Sequence, residues 1–86
     1  MIVYYVYILE TVTTKGKKRY YTGYTNNLYR RWNEHRNGRG AKFSRGKKYI
    51  GLKYFETFTT RKEAMRRELE IKSFSRNQKR ELINRI

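Results

Sequence analysis

Ile2-Val3-Tyr4-Tyr5-Val6-Tyr7-Ile8-Leu9 is the stretch from which the rest of the chain is read. β-Branched and aromatic residues fill both alternating sets of positions. Ile2, Tyr4, Val6 and Ile8 share one face, and Val3, Tyr5, Tyr7 and Leu9 share the other. A strand apolar on both sides is buried on both sides. The polar run Thr13-Thr14-Lys15-Gly16-Lys17-Lys18 suits a hairpin loop. It predicts a second strand from about Arg19 to Tyr24, with Tyr21 and Gly23 on one face and Tyr20, Thr22 and Tyr24 on the other.

Further out, Asn26 or Asn27 can cap a helix running to Asn37, with Gly38 at the position of a C-terminal glycine cap. Leu28, Tyr29 and Trp32 form its apolar arc, with Arg31 and His35 together along one edge. Arg39 to Lys48 reads as a basic loop. Tyr49 to Phe58 reads as a third strand, with Ile50, Leu52 and Tyr54 on one face. Thr60 to Glu63 fits a capping box, which starts a helix reaching Phe74. Ser75 then caps a last helix, Arg76 to Arg85, whose Leu82 and Ile83 can pack with Ile86. The order β-β-α-β-α-α predicts an α+β fold, a three-stranded, mostly antiparallel sheet flanked by helices, as one domain over residues 1–86.

Composition narrows the chemistry. Among 86 residues, 22 Lys and Arg face 7 acids, giving a net charge of +15, and every acid is Glu. With no Cys, no Asp and one His, a disulfide framework, a thiolate zinc site, a Ser-His-Asp triad and a multi-histidine metal cage are excluded. No apolar run is long enough to span a membrane. The first strand lacks a basic leader, so a soluble, cytoplasmic protein without a membrane partner is the expectation. Nine Tyr and one Trp supply much of the apolar bulk of the core. A chain this basic has a polyanion as its natural partner, and nucleic acid is the first candidate.

Three sets of residues look out of place. Glu68 falls near the middle of an arc made by Ala64, Met65, Leu69, Ile71 and Phe74, while Glu63 and Glu70 lie opposite. A carboxylate there needs a buried Arg, tyrosine hydroxyls or a metal ion. Tyr5, Tyr7 and Tyr21 gather phenols on one sheet face, either as packing or as hydrogen-bonding groups. Arg31, beside Trp32, can stack on the indole or hold a phosphate with two hydrogen bonds.

Tyr5-Val6-Tyr7 in one strand and Tyr21-Thr22-Gly23 in the next resemble the motif pair of the GIY-YIG nuclease superfamily. Tyr24 to His35, Gly40 to Gly46 and Glu63 to Lys72 resemble segments of its small stand-alone bacterial members, of the URI type. The resemblance covers about residues 2–83. It departs where Tyr5, Val6 and Thr22 stand for glycine, isoleucine and the middle residue of the second motif.

The resemblance implies a metal-dependent endonuclease that cleaves phosphodiester bonds with one Mg²⁺ or Mn²⁺ held by Glu68. Tyr7, Tyr21, Arg31, His35 and Glu68 would be its catalytic residues. Tyr7 would act as base if cations lower its pKa, and Arg31 would neutralise the phosphate. Gly23, Lys42, Arg45, Lys47, Lys48 and Lys72 would bind substrate, and Asn77 is a lesser candidate. DNA is favoured over RNA as substrate, and a monomer over an oligomer. The alternative is a non-catalytic basic DNA- or RNA-binding protein on the same fold. A ribosome-associated protein is a further rival, against which Glu68 argues.

Overall fold

The expected doubly buried strand is the middle of the sheet. In the computed structural model, which describes residues 2–37 and 49–85, β1 (Tyr4–Val12) lies between β2 (Lys18–Thr25) and β3 (Tyr49–Phe58). Both pairings are antiparallel, in the order β2-β1-β3. Val6, Tyr7, Ile8 and Leu9 are almost fully removed from solvent. The strand begins two residues later than Ile2 and runs to Val12; Ile2 is exposed.

The β1–β2 turn closes with the Thr13 amide donating to the Lys17 carbonyl at 2.9 Å and the Gly16 amide to the Thr13 carbonyl at 2.9 Å. Gly16 has φ +83°, a conformation costly for a residue with a Cβ.

Register sorts the side chains into two layers. Val6 faces Tyr24 and Glu56, and Ile8 faces Thr22 and Tyr54. On this side Val6 and Ile8 form a core with Ala64, Ile71 and Leu82, from α2 (Arg61–Lys72) and α3 (Arg76–Ile83). Tyr7, paired with Gly23 and Phe55, and Leu9, paired with Tyr21 and Leu52, face the other layer, which α1 (Leu28–Arg36) covers.

The caps follow the sequence. Asn27 Oδ1 accepts from the Arg30 amide at 3.0 Å, and Thr60 Oγ1 from the Glu63 amide at 3.2 Å. The full reciprocal box is at α3, where the Gln78 amide donates to Ser75 Oγ at 3.1 Å and the Ser75 amide to Gln78 Oε1 at 2.7 Å. α2 and α3 end at Lys72 and Ile83, short of Phe74 and Arg85.

Two expected faces are corrected. A register irregularity opposite Ile8 and Leu9 makes Ile8 face Tyr54 and Leu9 face Leu52, leaving Lys53 as the extra residue. Leu52 and Tyr54 therefore point to opposite layers. On α2, Ala64 and Ile71 are buried, whereas Met65 is exposed and Leu69 is 66 % exposed. The inward line of that helix passes between Arg67 and Glu68 and excludes Met65 and Leu69.

Tyr54 and Glu56 share the inward face with Phe58, and there the second layer is locked by charge. Arg67 donates to both Glu56 oxygens, Nε to Oε1 and Nη2 to Oε2, each at 2.9 Å, and also pairs with Glu70. The Tyr54 hydroxyl donates to Glu56 Oε2 at 2.5 Å. A two-pronged guanidinium–carboxylate pair fixes α2 on β3 in orientation as well as distance. Among the described residues no helix is long and apolar enough to cross a membrane.

Candidate active site

Tyr7 is the middle of the site because the strand opposite it has no side chain to offer. A Cβ built on Gly23 would lie 2.5 Å from the Tyr7 hydroxyl oxygen and 2.7 Å from Cζ. The phenol thus rests on bare backbone, enclosed to 1 % exposure. Close backbone approach, rather than a special φ, is what requires glycine here.

Around this ring α1 brings Arg31 and His35, which share a helix edge because they are four residues apart. His35 is the one fully buried residue of α1. Its Nε2 is 3.2 Å from the Tyr7 hydroxyl, and its ring centroid lies 5.0 Å from that of Tyr21 and 6.0 Å from that of Tyr7. Tyr7 and Tyr21 are 6.4 Å apart by centroids. Arg31 lies near enough to the Tyr7 hydroxyl for the two side chains to shift each other's pKa, and places Nη1 3.1 Å from Glu34 Oε1. Arg36, not Arg31, stacks on Trp32, with its guanidinium carbon 4.6 Å from the ring centroid.

Protonation states follow from burial. Desolvation and the charge of Arg31 lower the His35 pKa to about 4, so the imidazole is neutral near pH 7. Desolvation raises Tyr7 to about 12; the hydrogen bond from Arg31 opposes this and loses. The expectation that cations lower the Tyr7 pKa is therefore corrected. Excess charge spread over a surface is screened by water, whereas burial acts on the hydroxyl directly. The neutral phenol and the neutral imidazole share one hydrogen bond across this 3.2 Å contact.

Glu68 comes from the opposite layer. α2 packs on the Val6 and Ile8 face, against β1 and the edge strand β2. Its carboxylate is nonetheless near enough for its charge to contribute to the raised pKa of Tyr7. Glu68 is 15 % exposed and is paired with Lys72 Nζ at 3.6 Å. The buried-Arg partner considered from sequence belongs to Glu56 instead, a pair that sequence reading missed. Its available signal was Glu56 alternating in phase with Tyr54 and Phe58.

Among the described residues no three His, Cys, Asp or Glu side chains gather as a metal-binding group. A lone carboxylate with a loosely held Lys partner fits a hard cation such as Mg²⁺, which keeps most of its waters and takes other ligands from substrate oxygens. Gly23 and Lys72 thus lie at the cluster and at Glu68 respectively. Asn77 is exposed at the start of α3. Lys42, Arg45, Lys47, Lys48 and the rest of the expected basic loop lie outside the described residues, as do Gly38 and Ile86.

Comparison with known proteins agrees with this architecture. A family model described as the GIY-YIG catalytic domain matches residues 3–81. A UPF0213 protein of Clostridium perfringens is 48 % identical over 80 residues, spanning 93 % of this chain and 82 % of that one. A UPF0213 protein of Halobacterium salinarum is 44 % identical over 80 residues, spanning 93 % and 99 %. The solution NMR structure of a UPF0213 protein from Bacillus halodurans superposes with a TM-score of 0.55 at 40 % identity, covering 96 % of this chain and 84 % of that one. With the motif tyrosines on neighbouring strands and the family model spanning nearly its whole length, the chain belongs to the GIY-YIG family.

Proposed function

We propose that the protein is an endonuclease that hydrolyses phosphodiester bonds in nucleic acid, DNA in preference to RNA, with one divalent cation. The observation that carries this reading is the convergence of Tyr7, Tyr21, Arg31 and His35 over Gly23. Packing alone does not call for a cation, a neutral imidazole and two phenols at one point of a sheet.

In this reading Arg31 binds the scissile phosphate and stabilises the charge that grows on it, as an oxyanion hole does. Tyr7 remains a phenol at neutral pH, so it works as a relay. Its oxygen takes the proton of the attacking water as its own proton passes to His35 Nε2. Tyr21 packs beside Tyr7 against the imidazole, 5.0 Å away by ring centroids, and orients water or phosphate. Glu68 would hold Mg²⁺ or Mn²⁺, with Lys72 released to a phosphate; when bound, the ion supplies positive charge at the phosphate and leaving oxygens. The remaining cations carry the backbone non-specifically.

The second reading, a binder that does not cleave, is favoured by one observation: Glu68 sits on the opposite helix layer and is already paired with Lys72. Incubating labelled single strands, duplexes, flaps and junctions of DNA and RNA with Mg²⁺ or Mn²⁺ separates the two. Cleavage of at least one, lost on chelation, supports the nuclease. Binding without cleavage throughout supports the binder.

A further inference from the structure

The α1 side of the sheet holds a second feature that the cleavage chemistry leaves unused. His35 anchors the C-terminal end of α1, and towards its N-terminus the helix leaves a groove of about 690 Å³ above the sheet. Tyr5, Leu52 and Phe55 line it from the strands, and Tyr29 and Trp32 from the helix. The bulge in β3 is what turns both Leu52 and Phe55 to this face. Tyr29 is 66 % exposed and Phe55 50 %. Large rings left open side by side mark a binding surface. The groove shares Asn26 with a neighbouring cleft whose charged lining is Arg30, Arg31, Arg61 and Glu34, three cations to one carboxylate that pairs with Arg31.

We propose that this aromatic groove is a stacking subsite for an unpaired nucleobase of single-stranded DNA whose adjacent phosphate lies at Arg31. The proposal rests on the nuclease reading and names its substrate class. Charge decides the occupant. Arg30, Arg31 and Arg36 all lie on α1 beside the groove, in a chain of net charge +15, so a second copy of this chain is repelled from this face. A nucleotide brings flat apolar rings and a negative charge together. In a duplex those rings are stacked and paired, so the groove selects single strands. Apolar walls at Leu52 and Phe55 also disfavour the extra 2′-hydroxyl of RNA, which loses water there.

Trp32 is the chain's one tryptophan, so its fluorescence reports the groove directly. The test titrates oligothymidylate, an abasic deoxyribose-phosphate strand of equal length, oligouridylate and a duplex in the presence of chelator, following Trp32 emission and oligonucleotide anisotropy. Oligothymidylate is expected to quench Trp32 and to bind about tenfold more tightly than the abasic strand. Tyr29→Ala and Phe55→Ala are expected to lose that advantage while keeping abasic affinity and the wild-type circular dichroism spectrum. Equal quenching by the abasic strand, or binding without quenching, overturns the subsite and leaves the nuclease reading standing. Tighter binding of oligouridylate overturns the assignment to DNA. Protein-concentration-dependent quenching with a dimer in sedimentation gives the groove to a second copy and overturns the proposal. No anisotropy change with any strand overturns the nuclease reading itself.

Discussion

The Tyr7 hydroxyl lies 3.2 Å from Nε2 of His35, a hydrogen bond between two buried groups that hold their neutral forms across the physiological range. Neutrality makes the pair a proton path, and it also makes it sensitive to acid.

His35 has a folded pKa of about 4 against an ordinary 6.5. Between those values the unfolded chain binds a proton that the folded chain refuses, so stability falls as pH falls. From about pH 7 to about pH 5 this costs on the order of 2 kcal/mol. Urea unfolding midpoints should drop over that interval in the wild type and stay flatter in His35→Gln. Equal slopes for the two proteins would contradict the buried neutral imidazole.

Gly23→Ala places a methyl group where the Tyr7 hydroxyl now sits. Because Tyr7 is enclosed, its ring cannot simply swing aside, and the substitution should cost about 1–3 kcal/mol. It should also break the bond to His35, so the imidazole NMR titration should move back towards the ordinary value. An unchanged His35 titration would show that the ring does not depend on Gly23.

Glu56 and Arg67 make the main ionic link from β3 to α2. Burial on its own raises the pKa of Glu56; hydrogen bonds from Arg67 and Tyr54 outweigh it and hold the carboxyl below its usual range. Its contribution is therefore present above the ordinary carboxylate pKa and is lost as pH falls through the lower folded value. Glu56→Gln leaves Arg67 with only Glu70 and should cost roughly 2 kcal/mol, less than a fully buried pair because both groups keep some solvent contact. Denaturant midpoints of Glu56→Gln against Arg67→Met check this, with the double variant losing less than the two singles combined.

Much of this arrangement was legible in the residues. The unbroken apolar stretch around Val6 and Ile8 reads as a strand buried on both faces, and the caps at Asn27, Thr60 and Ser75 place α1, α2 and α3. Face assignment failed where it depends on a partner. Lys53 is extra only relative to β1, so the separation of Leu52 from Tyr54 has no local signal. The α2 arc was drawn too wide because Met65 and Leu69 are apolar yet exposed. At the site, spacing put Arg31 and His35 together correctly. The direction of the Tyr7 shift did not follow from net charge, because the enclosure produced by Gly23 and α1 is a tertiary property.

Nucleic-acid binding should weaken steeply with salt. Each phosphate neutralised on a duplex contributes roughly −0.9 to the slope of log affinity against log salt. Anisotropy titrations over a salt series should give a slope of several units with little sequence preference, and a flat response would remove nucleic acid as the partner.

Glu68→Gln tests the central claim most directly. The change removes the carboxylate charge and keeps the side chain's size, and it breaks a long pair with half-exposed Lys72. Stability should therefore change by less than about 1 kcal/mol. Cleavage of a labelled single strand in Mg²⁺ should fall to background in this variant while its affinity, measured with chelator present, is kept or slightly raised. Cleavage at the wild-type rate by Glu68→Gln would contradict the account.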